Sequence, residues 1–168
     1  MSQIIILEKS IAINATPAKI YNALINAQEL RRWRADRAES DASIGGTVVI
    51  VRGENEARGV YKRLMLNREV AIHWDRHDKL LPEDLTVFRL EKTAKGTKVI
   101  VNNFALPVEV DRIGAEWDKQ LKQLKKVYQA ASPKPKAKSK AAKKTTAKRK
   151  SIAKIKSKSN SSKAKWKK

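Results

Sequence analysis

Two histidines, His73 and His77, are the side chains whose type and spacing most resemble a metal-binding pair. Because they are four residues apart, they would share one face of a helix, as zinc ligands often do. The residues around His73 alternate instead as a strand that runs into a loop, and an extended chain separates the two histidines by roughly 13 Å. We therefore predict no metal site, no bound cofactor, and two exposed histidines at the end of a strand.

Groups suited to covalent or acid–base catalysis are scarce in the chain. It contains no cysteine, no Gly-x-Ser-x-Gly motif and only the two histidines that would act as bases near neutral pH. The carboxylate pairs Glu54/Glu56 and Glu83/Asp84 lie in polar, turn-like stretches, where nothing apolar would raise a pKa. No catalytic residue is predicted, although a cyclase-type reaction in an apolar cavity needs few groups and stays possible.

Charge divides the 168 residues into two parts, with a net charge of +21 for the whole chain. Residues 1–131 contain 22 basic and 17 acidic side chains, whereas residues 132–168 contain 16 basic and no acidic ones. Pro133 and Pro135 interrupt any helix at this boundary. The segment that follows has too few apolar residues to offset the entropy of ordering. The sequence predicts a folded domain over 1–131 and a disordered tail over 132–168.

A flexible polycation of this density neutralises phosphates and releases their counterions, with little dependence on base sequence. Nucleic acid is the favoured partner of the tail, while an anionic membrane, another polyanion or no specific partner are the alternatives. Trp166 is compatible with stacking on a base or with a lipid interface. The side chains expected to contact nucleic acid are Lys134, Lys136, Lys138, Lys140, Lys143, Lys144, Lys148, Arg149, Lys150, Lys154, Lys156, Lys158, Lys163, Lys165, Lys167 and Lys168.

Several classes of protein are disfavoured by composition. The absence of cysteine excludes disulfide scaffolds and thiolate metal sites. The longest purely apolar run, residues 4–7, is far shorter than the roughly 18 residues of a membrane span. No basic segment precedes it, as one would in a signal peptide. We expect a soluble intracellular protein, located in the cytoplasm, the nucleoid or the nucleus.

Three helices are predicted to position the remaining residues. Thr16 and Pro17 form a helix start, with a hydroxyl N-cap followed by proline. Asn26 and Glu29 have the spacing of a capping box, which predicts a second short helix that ends at Trp33. A third helix of about 20 residues follows from apolar residues spaced by 4, 4, 3 and 4 positions. Its apolar stripe consists of Ile113, Trp117, Leu121, Leu124 and Tyr128.

Strands account for most of the remaining domain. The first precedes the helices and carries an irregularity near residues 9 and 10, and the others alternate with short polar turns. The predicted strands cover residues 4–13, 47–51, 59–66, 70–74, 85–91 and 97–104, with turns at 53–55, 67–68 and 95–96. Regular spacing with short turns predicts an antiparallel meander, and hence an α+β fold in which the long helix covers the sheet.

The order of these motifs resembles a known family. The stretch 11–33, Ile44-Gly45-Gly46, residues 70–74, residues 96–99 and the closing Trp117…Leu121…Leu124 are similar to helix-grip proteins of the START-like (SRPBCC) superfamily. They most resemble the branch named after the activator of the heat-shock-protein ATPase. The tail, with Ser132-Pro133-Lys134 and its Lys/Ala-rich stretch at 142–150, resembles the tails of linker histones.

The resemblance implies a curved antiparallel sheet wrapped around the long helix, with an apolar space for a small hydrophobic ligand between them. It also implies a possible chaperone contact, by family analogy. Tyr61 or Asn103 would orient a ligand, and a solid core remains the alternative to an open cavity. The residues expected at the cavity are Trp33, Tyr61, Ile72, Trp74, Phe88, Leu90, Val99, Val101, Asn103, Trp117 and Leu121.

A dense basic segment, residues 31–37, follows the second predicted helix. One interpretation is that its arginines extend the anion-binding surface of the tail. The other is that Asp36 and Glu39 neutralise them locally.

Overall fold

The computed structural model describes residues 4–75 and 84–130, so the predicted tail at 132–168 lies outside the described residues. The predicted α+β helix-grip fold is confirmed: a curved antiparallel sheet, two short helices after the first strand and one long helix at the end of the domain. The elements in chain order are β1 (Ile5–Ile13), α1 (Pro17–Ile25), α2 (Ala27–Trp33), β2 (Arg37–Ser40), β3 (Thr47–Arg52), β4 (Asn55–Met65), β5 (Glu69–Asp75), β6 (Leu85–Thr93), β7 (Gly96–Ala105), a 3-10 helix (Pro107–Glu109) and α3 (Val110–Ala130).

The seven strands form one sheet in the order β1-β7-β6-β5-β4-β3-β2, and all neighbouring strands are antiparallel. Strand β1 pairs with β7 from Ile5 to Ile13 without a register shift, so the predicted irregularity near residues 9 and 10 is wrong. The ladder stays regular because Lys9 occupies an inward position, where its Nζ lies 2.9 Å from Asp118 Oδ2 of α3. The polar residue that interrupts the apolar pattern is thus paired across the fold.

One strand was not predicted, and another begins four residues earlier than predicted. Strand β2 was not predicted, because its sequence Arg-Ala-Glu-Ser lacks β-branched and aromatic residues. It forms because β3 offers it an unpaired edge, and Ser40 Oγ donates a hydrogen bond to the carbonyl of Ile25. Strand β4 begins at Asn55 rather than residue 59, which leaves a tighter turn at Gly53, whose φ is 58°.

Both short helices begin at the predicted caps. Thr16 Oγ1 accepts a hydrogen bond from the Lys19 amide, and Asn26 Oδ1 accepts from the amides of Gln28 and Glu29. The Glu29 side chain does not complete a capping box by returning to Asn26. The amide of Asn26 already donates to the last turn of α1, and the two helices therefore join without a linker.

The core lies between the concave face of the sheet and α3. The predicted stripe of α3 is buried along its whole length, from Ile113 to Tyr128, with the intervening lysines exposed or half-buried. It packs with inward residues of the central strands and of α1 and α2 in one continuous apolar cluster. Within residues 4–75 and 84–130, no helix is both long and apolar enough to span a bilayer.

Candidate ligand-binding site

An open cleft of about 470 Å³ lies where the first turns of α3 meet the ends of β4 to β7. Its apolar wall is formed by Trp74 of β5 and by Ile113 and Trp117 of α3. Charged and polar side chains complete the lining. The other residues at the cleft are Arg34, Glu56, Ala57, Asp75, Asp84, Thr86, Asn103, Arg112, Glu116 and Gln120.

Buried hydrogen bonds fix the polar part of the wall. The indole N–H of Trp74 donates to Thr86 Oγ1 at 3.1 Å, and Asn103 Nδ2 donates to the same oxygen at 3.2 Å. Asn103 Oδ1 in turn faces the indole N–H of Trp117 at 3.5 Å. Trp117 is thus linked to the Asn103 amide directly and Trp74 through Thr86, and this network holds both rings in place.

The Arg34 side chain enters the cleft among aromatic rings. Its guanidinium carbon lies 4.9 Å from the ring centre of Trp74 and 5.1 Å from that of Trp117, with Trp33 and Phe88 at 5.9 Å. These distances are within the range of cation–π attraction. The Arg34 carbonyl accepts hydrogen bonds from Arg52 Nε and Nη2 at 3.1 and 2.8 Å, which anchors the backbone at the end of α2.

Burial determines the electrostatics of Arg34. Removal of water around the guanidinium lowers the pKa of Arg34 to about 10, and the nearby charge of Arg52 acts in the same direction. The carboxylate of Glu116 partly opposes these two effects. Arg34 therefore remains protonated near neutral pH, as a cation that has lost much of its hydration.

Gly59 makes room for Trp74. The two residues face each other across β4 and β5, and a Cβ at position 59 would lie 2.9 Å from Trp74 Cε3 and 2.9 Å from the carbonyl of His73. Both contacts are closer than real side chains allow, and one is to backbone that cannot rotate away. The position of the Trp74 ring at the cleft consequently depends on the missing side chain at Gly59.

The structure places only some of the predicted cavity residues at this cleft. Trp74, Asn103 and Trp117 line it. Trp33 lines a neighbouring groove, with its indole N–H donating to the carbonyl of Ala23 at 2.9 Å, and the Tyr61 hydroxyl is hydrogen-bonded to Ser40. The predicted residues that are buried in the core, away from the cleft lining, are Tyr61, Ile72, Phe88, Leu90, Val99, Val101 and Leu121.

Arg34 was predicted to lie in a basic surface segment, whereas the structure places it at the cleft. One signal was available, since Leu30, Trp33 and Arg34 follow the i, i+3, i+4 spacing of one helix face. The segment also fits neither earlier interpretation in full. Arg34 turns inward, Arg32 pairs with Glu29 at 3.0 Å, and the carboxylate of Asp36 accepts from the Gly53 amide.

The two histidines do not form a pair in the described chain. His73 is half-buried within β5 rather than exposed at a strand end, and His77 lies outside the described residues. In the part of the chain that the structure describes, no group of three or more His, Asp or Glu side chains is arranged to hold a metal ion.

A curved antiparallel sheet closed by a long helix, with a cleft between them, defines a helix-grip domain. Residues 14–129 match the family model described as "Activator of Hsp90 ATPase homolog 1-like protein". The match covers more than half of the chain, and the chain therefore belongs to this family, as the START-like resemblance predicted. Among curated proteins, none matches the sequence significantly.

Solved structures share the fold at low sequence identity. The Aha1 dimer from Colwellia psychrerythraea matches with a TM-score of 0.67 and 19% identity, over 76% of this chain and 98% of that one. The AHSA1-like protein from Aeromonas hydrophila has a TM-score of 0.65 and 15% identity, over 76% and 94%. CalU16 from Micromonospora echinospora has a TM-score of 0.61 and 21% identity, over 79% and 78%. At these identities the likeness establishes the fold, and function has to be argued from the site itself.

Proposed function

We propose that this protein binds nucleic acid without sequence specificity through residues 132–168, which its helix-grip domain carries as a tail. The observation that supports this proposal is the charge distribution, with 16 basic and no acidic side chains in 37 consecutive residues. Lysine ammonium groups neutralise phosphates, and contacts to phosphates carry no information about base sequence. If the nucleic acid is DNA, the protein locates to the nucleoid or the nucleus rather than to the cytoplasm at large.

Two charge-matched variants test whether the tail is the binding element. In the first, Lys143, Lys144, Lys148, Arg149 and Lys150 are replaced by glutamine. In the second, five exposed cations of the domain are replaced in the same way: Arg31, Arg37, Lys119, Lys122 and Lys126. Both variants lose the same net charge, so a difference in their affinities shows which part of the chain binds the nucleic acid.

We expect the tail variant to bind a labelled DNA duplex on the order of tenfold more weakly than the parent chain at 0.1 M salt, or weaker still, because several phosphate contacts are lost. The domain variant should stay close to the parent affinity. Fluorescence anisotropy measures both. Equal losses of affinity in the two variants would show that the tail has no special role. A larger loss in the domain variant would show that the interface lies on the folded domain.

A second function, binding of a small apolar ligand, is favoured by the cleft. Its volume of about 470 Å³ falls in the range of small-molecule sites, and Trp74, Trp117 and Asn103 supply two largely buried aromatic rings and one orienting amide. The hydrogen bonds that hold these side chains are already made without a ligand. Because these side chains are already held in place, little conformational entropy is lost when a ligand binds.

Fluorescence of the neutral probe N-phenyl-1-naphthylamine tests this second function. Binding to the cleft should be insensitive to salt, in contrast to nucleic-acid binding by the tail. Ala57→Trp fills the cleft and should abolish binding, whereas Ala115→Trp, on an exposed position of α3 away from the cleft, should leave it unchanged. Equal binding by both variants would place the probe elsewhere on the protein.

A further inference from the structure

We infer that the cleft takes a ligand with a flat apolar body and one carboxylate, and that Arg34 is the residue that recognises the carboxylate. This inference rests on the proposed ligand-binding function of the cleft and gives that function a chemical class. It starts from a half-buried cation that has no ion-pair partner among residues 4–75 and 84–130.

The Arg34 guanidinium makes no ion pair or side-chain hydrogen bond within residues 4–75 and 84–130; its only close partners there are ring faces. Ring faces attract a cation but do not accept its N–H groups in the plane of the guanidinium. A planar guanidinium matches a carboxylate with two parallel hydrogen bonds. The group is therefore poised for a partner that the described chain does not supply.

Two of the carboxylates at the cleft, Glu116 and Glu56, pair with other cations. Glu116 Oε1 lies 3.2 Å from Arg52 Nη1 and accepts a further hydrogen bond from Gln120 Nε2 at 3.1 Å. Glu56 lies 3.5 Å from Arg58. Glu116 and Asp84 attract the Arg34 charge from within the cleft, but neither makes an ion pair with its guanidinium in the part of the chain that the structure describes.

Other charges at the cleft limit the ligand to a single negative charge. Arg112, the second cation of the lining, is paired with Glu109 at 2.8 Å. Asp75 and Asp84 lie at the same cleft, and a polyanion would be repelled by both. A cationic ligand would meet Arg34 itself at the aromatic wall, and a neutral one would leave the guanidinium without a counterion. A monocarboxylate satisfies all of these constraints.

The aromatic wall determines the rest of the ligand. Trp74, Trp117 and Ile113 line the cleft beside Arg34 as the exposed margin of the apolar core, and the cleft volume suits a body of about two fused rings. Gln120 adds one polar feature, because its Oε1 is buried and accepts no hydrogen bond from the described residues.

Calorimetric titration of the full chain with 1-naphthaleneacetate and with 1-naphthaleneacetamide tests the inference. The two probes share the same apolar body and differ in charge. We expect the carboxylate to bind about tenfold more tightly than the amide, or more, as a charged hydrogen-bonded pair provides. Arg34→Met, which keeps the length and apolar stem, should remove this preference. Arg37→Met removes an exposed cation three residues away and should preserve it.

The outcomes distinguish a failure of the carboxylate inference from a failure of the proposed ligand-binding function. If carboxylate and amide bind the parent chain equally, the inference is overturned and the cleft remains a binding site. If neither probe binds, the ligand-binding function of the cleft fails as well. A carboxylate preference that survives in Arg34→Met would assign the charge recognition to another cation, such as the tail, and overturn the role of Arg34. If Arg34→Met does not fold, titration of the parent chain at low and high salt decides, because salt screens a preference that comes from solvent-exposed cations much more than one that comes from half-buried Arg34. A preference that disappears at high salt would overturn the role of Arg34.

Discussion

At the scale of single residues, Trp117 joins the core to the cleft. Its ring packs edge-on against Phe88, with centroids 5.5 Å apart and planes at 78°, and it is 5% exposed. Trp117→Ala should lower the free energy of unfolding by about 3–5 kcal/mol, because it leaves a cavity at the centre of the α3 stripe. Urea denaturation followed by circular dichroism measures the change.

Trp117→Phe is the matched control, since it keeps an aromatic ring against Phe88 and should cost clearly less than the alanine change. A loss below about 1 kcal/mol for Trp117→Ala would mean that α3 does not press this face onto the sheet. Such a result would contradict the fold as well as the cleft.

A second prediction at the residue scale concerns the ionisation of the three tyrosines of the chain. Burial raises the pKa of Tyr21, Tyr61 and Tyr128, and the hydrogen bond and charge of Glu29 raise that of Tyr128 further. Each pKa in the folded state exceeds the unfolded value near 10. The unfolded chain therefore loses these protons first, and the tyrosines' contribution to stability falls as pH rises above about 10.

Absorbance at 295 nm during an alkaline titration measures tyrosine ionisation. We expect little tyrosinate near pH 10 and a steep rise that coincides with loss of structure by circular dichroism. Arg34 has the opposite effect on stability above pH 10, because its pKa is lower in the folded chain than in the unfolded chain. We expect the combined effect of the three tyrosines on stability to exceed that of this single arginine. A gradual titration near pH 10 with intact structure would contradict their burial.

Residue-scale features of the site were only partly predictable. Trp74, Trp117 and Asn103 were predicted from their positions on strands and on a helix stripe, which fix the direction of a side chain. Arg34 was missed because it is the C-cap of α2, where the helix period ends and a side chain can turn either way. The role of Gly59 depends on which residue faces it across the sheet, and strand register is set by tertiary pairing.

At the scale of elements, the junction of α1 and α2 depends on Asn26. Its Oδ1 accepts hydrogen bonds from two amides at the start of α2, at 2.9 and 3.3 Å. Asn26→Ala should therefore cost about 1 kcal/mol of unfolding free energy. Asn22→Ala, at an exposed interior position of α1, should be neutral or slightly stabilising, because alanine is the better helix former.

Denaturant unfolding of these two variants beside the parent chain measures both effects. Equal changes for positions 22 and 26 would contradict the cap and leave the helix boundary unexplained. The comparison isolates the cap because both changes replace the same side chain in neighbouring turns.

Elements were predictable where local pattern and tertiary packing agree. The α3 stripe and the caps of α1 and α2 were predicted because an apolar period or a capping oxygen acts within a few residues. Strand β2 was missed because it carries no apolar alternation of its own and is held by its pairing to β3. The irregularity expected in β1 is absent because Lys9 forms an ion pair with Asp118, which is distant in sequence.

At the scale of the whole molecule, we predict that residues 1–131 fold without the tail. The buried apolar core runs from Ile13 to Tyr128, and the seven-stranded sheet is complete between Ile5 and Ala105. A chain ending at residue 131 should melt cooperatively, at a temperature close to that of the full chain. Scanning calorimetry measures both. A truncation without a cooperative transition, next to a full chain that has one, would show that the tail contributes to the fold.

The salt dependence of DNA affinity tests the central claim, that the tail binds phosphate charge rather than base sequence. If about 8 of its 16 basic side chains neutralise phosphates at once, log K should fall with log salt at a slope of roughly −7. Two duplexes of unrelated sequence should give the same slope and similar affinities. A shallow slope would contradict the claim. A strong preference for one duplex would also contradict it and would indicate a sequence-specific DNA-binding surface on the folded domain.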